Sequence, residues 1–391
     1  MSERKMVSLE SLLKIGVSYG IVQPGSAEVA GVPIVRVKDV RNGRIDTSDP
    51  LRVSPGVEEK YSRTRLQGGE VLLTLVGSTG QVAIAPDGLA GWNVARAIGV
   101  LRPDSDISPR WLQYFIESES AQQYIRDHLN TTVQATLNLK DLRVLPVPLP
   151  SRQERDAIVS VIGALDDKIA VNENIVATTD ELMRVLYQEA CGNAVESIVI
   201  GELGRLIRDG VSVSSLNGGE HYIGLEHMPR RNVWLSEWEE NAELASGKST
   251  FRSNDVLFGK LRPYFHKVGL ALTSGVCSTD ILVVRPSESD RLGWLLLALS
   301  SDEVVAHASA VGDGTRMPRA KWKDLESFAV PWPGKAEAAR LDRVVRSMAA
   351  RVQASVQESR TLVGLRHALL PQLMSGRLRV KDAEKIVEDH A

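Results

Sequence analysis

Cysteine is almost absent from this chain: its 391 residues hold two, Cys191 and Cys277, without metal-ligand spacing. That argues against a disulfide framework or a Cys-based zinc site and fits a reducing, cytoplasmic setting. No apolar run approaches the roughly 20 residues needed to span a bilayer, and the opening Ser2-Glu3-Arg4-Lys5 is no apolar signal segment. The seven histidines are scattered, with no His-Glu-x-x-His and no His/Cys pair, so no metal is expected. An excess of one charge is also missing. The net charge of −2 argues against a protein that coats nucleic acid indiscriminately, though not against a reader whose cations are gathered locally. Residues 1–150 carry 17 Lys and Arg against 16 Asp and Glu. Any DNA footprint must therefore be a patch, and a partner is expected to supply part of the phosphate grip.

Catalytic motifs are missing too. No Pro-Pro dipeptide occurs, so the Asn/Asp-Pro-Pro-aromatic loop that holds a flipped base in amino-methyltransferases cannot form. Ser246-Gly-Lys-Ser-Thr250 imitates the end of a phosphate-binding loop, but Ala242 stands where its first glycine is required. Asp166-Asp167-Lys168 echoes a nuclease triplet yet falls inside a long helical pattern, where charged faces are ordinary. Neither catalytic residues nor a cofactor are expected.

What the chain does contain is a repeat. Lys140-Asp141-Leu142 returns as Lys323-Asp324-Leu325, and Val147-Pro148-Leu149-Pro150 as Val330-Pro331-Trp332-Pro333, both at an offset of 183. Each proline-rich stop precedes a heptad seam. In the first, Ile158, Ile162, Leu165, Ile169, Asn172, Val176, Thr179, Met183 and Leu186 alternate steps of four and three. The same offset gives Leu341, Val345, Met348, Val352, Ser355, Ser359, Leu362, Arg366 and Leu369. Upstream, Gly69–Val76 matches Asn254–Leu261 at an offset of 185, and Ile98–Pro103 answers Ile281–Pro286.

The expected layout is a globular domain at 1–150, a helix at 151–192, a second domain at 193–333, a second helix at 334–376 and a tail at 377–391. The fold class is mixed α+β: two α/β domains separated by two long helices, packed as an antiparallel coiled coil with pseudo-two-fold symmetry. A duplicated reader with a rigid spacer suits a split DNA site, since half-sites recur about every 34 Å along the duplex.

These features resemble the specificity subunits of type I restriction-modification enzymes. The likeness rests on the Leu145–Pro150 stop followed by Gln153-Glu154 and Leu165-Asp-Asp-Lys-Ile169, and on Asn254–Lys267 with Cys277-Ser-Thr-Asp280. Gly314-Thr-Arg-Met-Pro-Arg319 and Leu369-Leu-Pro-Gln-Leu-Met-Ser-Gly376 extend it. The Gln-Glu order is reversed from the usual one, and Gly334-Lys-Ala-Glu337 departs further. The resemblance implies two target-recognition domains reading a bipartite double-stranded DNA site. It also implies helices that dock two methyltransferase subunits, endonuclease-translocase subunits able to join, and no membrane association. The alternatives are a stand-alone sequence-specific regulator and, less favoured, a methyltransferase or nuclease in its own right.

Base reading needs donors and acceptors on fixed loops. In the second domain the candidates are Lys260, Arg262, Tyr264, His266 and Lys267 around one turn, with Thr315, Arg316, Arg319 and Lys321 before the second helix. In the first domain they are Ser78, Thr79 and Gln81 on the matching turn, Asn93 and Arg96 beyond it, and Thr132, Gln134 and Thr136 before the proline stop. The two turns share a framework and differ in side chains, as two halves reading different sequences would.

Overall fold

Both seams fold as the periodicity predicts, into helices Arg152–Gly192 and Lys335–Ser375 of 41 residues each. At 1.5 Å per residue each runs roughly 60 Å. The computed structural model describes residues 4–130, 134–216, 219–240, 243–244, 246–312 and 317–389. The chain divides into unit 1, Met1–Asp167 with Thr361–Ala391, and unit 2, Lys168–Arg360. Each unit thus holds a sheet-bearing part and a stretch of both long helices. Among the described residues no helix is long and apolar enough to cross a membrane.

In unit 1, strand β1 (Lys5–Ser8) pairs antiparallel with the proline-stop strand Pro146–Leu149. The central sheet runs in the order β2 (Leu13–Tyr19), β5 (Ile98–Pro103), β3 (Val71–Thr74), β4 (Val82–Ile84), antiparallel throughout. Every residue of β3 is buried, as its Val-Leu-Leu-Thr run requires. Helices α1 (Pro109–Glu117) and α2 (Glu119–Asp127) follow, and Ser118 caps α2 by accepting from the Ala121 amide.

Unit 2 repeats this plan. Glu196–Val199 pairs with Ala329–Trp332. The five-stranded order is Gly204–Ile207, Ile281–Pro286, Val256–Gly259, Val268–Ala271, Trp234–Leu235, with only the last pair parallel. Ser301 caps helix Asp302–Val311 by accepting from Val304, 183 residues beyond the Ser118 cap. Trp111 and Trp294 stand at the same offset, and both are fully buried. A buried carboxylate anchors each sheet: Glu70 lies 3.4 Å from Arg102, and Asp255 lies 2.7 Å from Arg285.

Within each unit the two helices run antiparallel. In unit 2, Asn172 donates to Glu358 at 2.8 Å, while the Arg340 pKa, raised chiefly by its hydrogen bond to Glu337, is also raised by the nearby Glu189. There Met183, Tyr187 and Ala190 share one apolar cluster with Leu341, Val345, Ala349 and Val352. In unit 1, Arg4 joins Glu154 of the first helix to the Met374 carbonyl of the second, and Arg366 Nε donates to Asp166 at 2.7 Å.

Candidate nucleic-acid interface

In unit 2 the chain leaves strand Val256–Gly259, turns through Lys260–Lys267 and returns as Val268–Ala271. The tip is a single 3-10 turn, Pro263–Phe265, flanked by Arg262 at φ 51° and His266 at φ 53°. Left-handed backbone at two non-glycine residues needs outside support, because it is intrinsically disfavoured. The 317–320 segment provides part of it. Leu261 bridges Arg319, the Arg262 amide donates to the Pro318 carbonyl at 2.8 Å, and the Ala320 amide donates to the Lys260 carbonyl at 2.9 Å. The structure therefore joins the two loops that the sequence singled out separately.

Side-chain roles then divide. His266 is buried, its Nε2 lies 2.8 Å from the Ser300 carbonyl, and burial holds its pKa below the ordinary range. Lys267 donates to the Leu225 carbonyl, and desolvation lowers its pKa. Both fasten the turn to its surroundings. Tyr264 is 53% exposed and meets Phe265 edge-on at 4.8 Å. Arg319 is exposed and lies 3.3 Å from Asp280, while Lys260 and Arg262 are half-buried and Lys321 is exposed. The buried Arg262 Nε finds no acceptor among the described residues. Arg230, which sequence reasoning missed, stacks its guanidinium 4.2 Å from the Phe265 ring centre. The Pro229-Arg-Arg231 run was the available signal. Thr315 and Arg316 lie outside the described residues.

Unit 1 builds the same junction. Val76 bridges Thr136, the Gly77 amide donates to the Ala135 carbonyl at 3.0 Å, and Thr79 Oγ1 donates to that carbonyl at 3.3 Å. The bridge pairs Val76–Thr136 and Leu261–Arg319 are related by 185 and 183 residues, the two offsets of the repeat. Here the exposed side chains are Ser78, Gln81 and Gln134, with Thr79 and Thr136 half-buried. Gly77 and Gly80 take φ of 80° and 92°, which lets this turn stay tight without bulky anchors. Arg96 is exposed on a neighbouring loop. Thr132 lies outside the described residues.

Asn93 has a different task from the one expected. It is fully buried: its amide nitrogen donates to Glu58 at 2.9 Å and to the Tyr61 carbonyl at 3.1 Å. Its oxygen accepts from Thr64 and from the Val94 amide, both at 2.8 Å. All four of its hydrogen-bonding sites are engaged, so Asn93 organises the core of unit 1.

The motifs that imitate catalysis are also accounted for. Asp166 accepts from Tyr114 at 2.6 Å, Asp167 pairs with Arg110 at 2.5 Å, and Lys168 with Glu358 at 3.2 Å. Lys248 opens a β-strand and donates to the Ser246 carbonyl at 2.6 Å. Among the described residues no cluster of His, Cys, Asp and Glu could hold a metal.

Residues 1–178 match the model of the type I restriction modification DNA specificity domain. The EcoBI type I restriction enzyme specificity subunit of Escherichia coli is 32% identical over 38% of this chain and 31% of its own length. The MjaIX specificity subunit of Methanocaldococcus jannaschii is 23% identical over 80% of this chain and 78% of its own. This chain is thus similar to type I restriction-modification specificity subunits, most clearly over its first 178 residues. The fold agrees: the crystal structure of the type I restriction-modification S subunit from M. genitalium superposes with a TM-score of 0.58. That likeness covers 95% of this chain and 97% of the other at 14% identity.

Proposed function

We propose that this chain, as a specificity subunit, reads two separated parts of a double-stranded DNA site, one with each unit. On this reading it presents the site to two methyltransferase subunits docked on the long helices, with endonuclease-translocase subunits able to join. Residues 1–150 and 193–333 serve as recognition domains, 151–192 and 334–376 as helices, and 377–391 as a tail. The subunit positions an enzyme rather than acting as one, and it works in the cytoplasm.

The observation that supports this most is the pair of equivalent loop junctions with unlike side chains. In unit 2 the accessible groups are cationic and aromatic: Lys260, Arg262, Tyr264, Arg319 and Lys321. Such groups suit guanine edges and phosphates. In unit 1 they are small or amidic: Ser78, Thr79, Gln81, Gln134 and Thr136, with Arg96 beside them. Amides suit adenine. Two fixed frames with different donors are what an asymmetric site requires.

Co-expression with the cognate methyltransferase, followed by genome-wide mapping of methylated bases, tests the reading. A split methylated motif that appears only when this chain is present is expected. Methylation indifferent to its presence would refute the proposal.

A further inference from the structure

A shift of 183 residues carries Tyr114 onto Leu297, Glu117 onto Ser300, Asp166 onto Ala349 and Arg366 onto Met183. In unit 1 these four side chains form one network. Arg366 donates to Asp166 at 2.7 Å and to Glu117, Tyr114 donates to Asp166 at 2.6 Å, and the Arg366 guanidinium lies 5.8 Å from the Tyr114 ring centre. In unit 2 the matching Met183, Leu297 and Ala349 belong to one buried apolar cluster.

The repeat makes this difference consequential. Because the long helices are alike in length and seam, a second copy of the chain offers each of them a partner of suitable shape. Suppose the first helix met the first helix of another copy in the same antiparallel register. Met183 would then stand where Arg366 stands, leaving Asp166 and Glu117 without their cation at both ends of the symmetric pair. Ile175 would likewise replace Glu358, the acceptor of Asn172. Two second helices brought together would instead set each Arg366 against Ala349, Leu297 and Ser300, with no acid to meet it. Only the pairing of a first helix with a second helix joins cation to carboxylates. A half-buried charge left without its partner disfavours a wrong helix pairing, which is how polar seam residues fix partner and register in coiled coils.

We propose that Tyr114, Glu117, Asp166 and Arg366 form a pairing key, which matches a first long helix with a second one and turns away like-with-like pairing between two copies. The key works through the asymmetry of the repeat, so erasing the asymmetry should disable it in either direction. One full-length variant carries Tyr114→Leu, Glu117→Ser, Asp166→Ala and Arg366→Met, giving unit 1 the apolar seam. The other carries Met183→Arg, Leu297→Tyr, Ser300→Glu and Ala349→Asp, giving unit 2 the polar one.

Two differently tagged copies of each chain are co-expressed, and co-purification and light-scattering mass are measured. The wild-type chain is expected at its monomer mass of 42.8 kDa with background co-purification. Either variant should raise co-purification at least tenfold and add a species of twice that mass. A wild-type chain that already exchanges with its tagged copy would overturn the proposal. So would a folded variant of either kind that stays as monomeric as the wild type.

Discussion

In unit 2 the helix pair closes over Met183, Leu297 and Ala349; in unit 1 the same places hold Arg366, Tyr114 and Asp166. The backbone plan is shared, down to serine caps and buried tryptophans at one offset, while the chemistry at the seam is opposite. A largely buried ion network such as this one, its charged side chains 17–30% exposed, adds little net stability over an apolar replacement of similar volume, because desolvation offsets most of its attraction. Its effect is on selectivity, since a lost partner leaves a stranded charge. The two loop junctions show the same division. One hydrogen-bonded junction carries cationic side chains in unit 2 and amides and hydroxyls in unit 1. Duplication preserved the frame and left the contact groups free to diverge.

The largest expected effect tests whether the frames are equivalent. Trp111→Ala and Trp294→Ala should each cost about 4 kcal/mol, from lost burial and the cavity left behind. Urea unfolding, followed by hydrogen exchange in each unit, checks that both losses are alike and local. Next, Arg366→Met should cost about 3 kcal/mol in unit 1, because Glu117 and Asp166 lose the cation they share. Its side chain is only 17% exposed, so solvent does little to replace the pairing. The same urea series should show Met183→Leu, a swap of similar volume at the equivalent place, costing under about 1.5 kcal/mol.

A smaller effect separates the units by pH. His266 has a lowered folded-state pKa, chiefly from burial, so it stays neutral in the fold and takes up a proton more readily when unfolded. Unit 2 should keep that contribution above about pH 6.5 and lose it as pH falls through the lowered value. Glu58 of unit 1 is lowered mainly by its hydrogen bond with Arg65. Its contribution should persist until pH drops below the ordinary carboxylate range, near 4.5. Unit-resolved hydrogen exchange between pH 7 and 4 should therefore show unit 2 loosening first, and His266→Asn should remove that early slope.

The helices, their antiparallel partnership and the matched turns were legible because each rests on local periodicity or on a repeat visible along the chain; the joining of each turn to its second loop was not. The roles of individual polar residues were less so. Asn93, His266 and Lys267 looked like DNA contacts, yet their partners Glu58, Ser300 and Leu225 come from distant segments that only folding assembles. Arg366 stands in a seam that is otherwise mostly apolar, and its partner Asp166 lies 200 residues away, so only folding assembles the pair. Trp111 and Trp294 carry the same 183-residue offset, visible in the sequence alone.

The central claim is that each unit reads its own part of the DNA site. Methylated-base mapping with the cognate methyltransferase, repeated for Arg262→Ala/Arg319→Ala and separately for Gln81→Ala/Gln134→Ala, tests it most directly. The first pair should relax or abolish recognition in one half of the motif only, and the second pair in the other half only. Variants that leave both halves unchanged, or that alter both halves alike, would contradict the account.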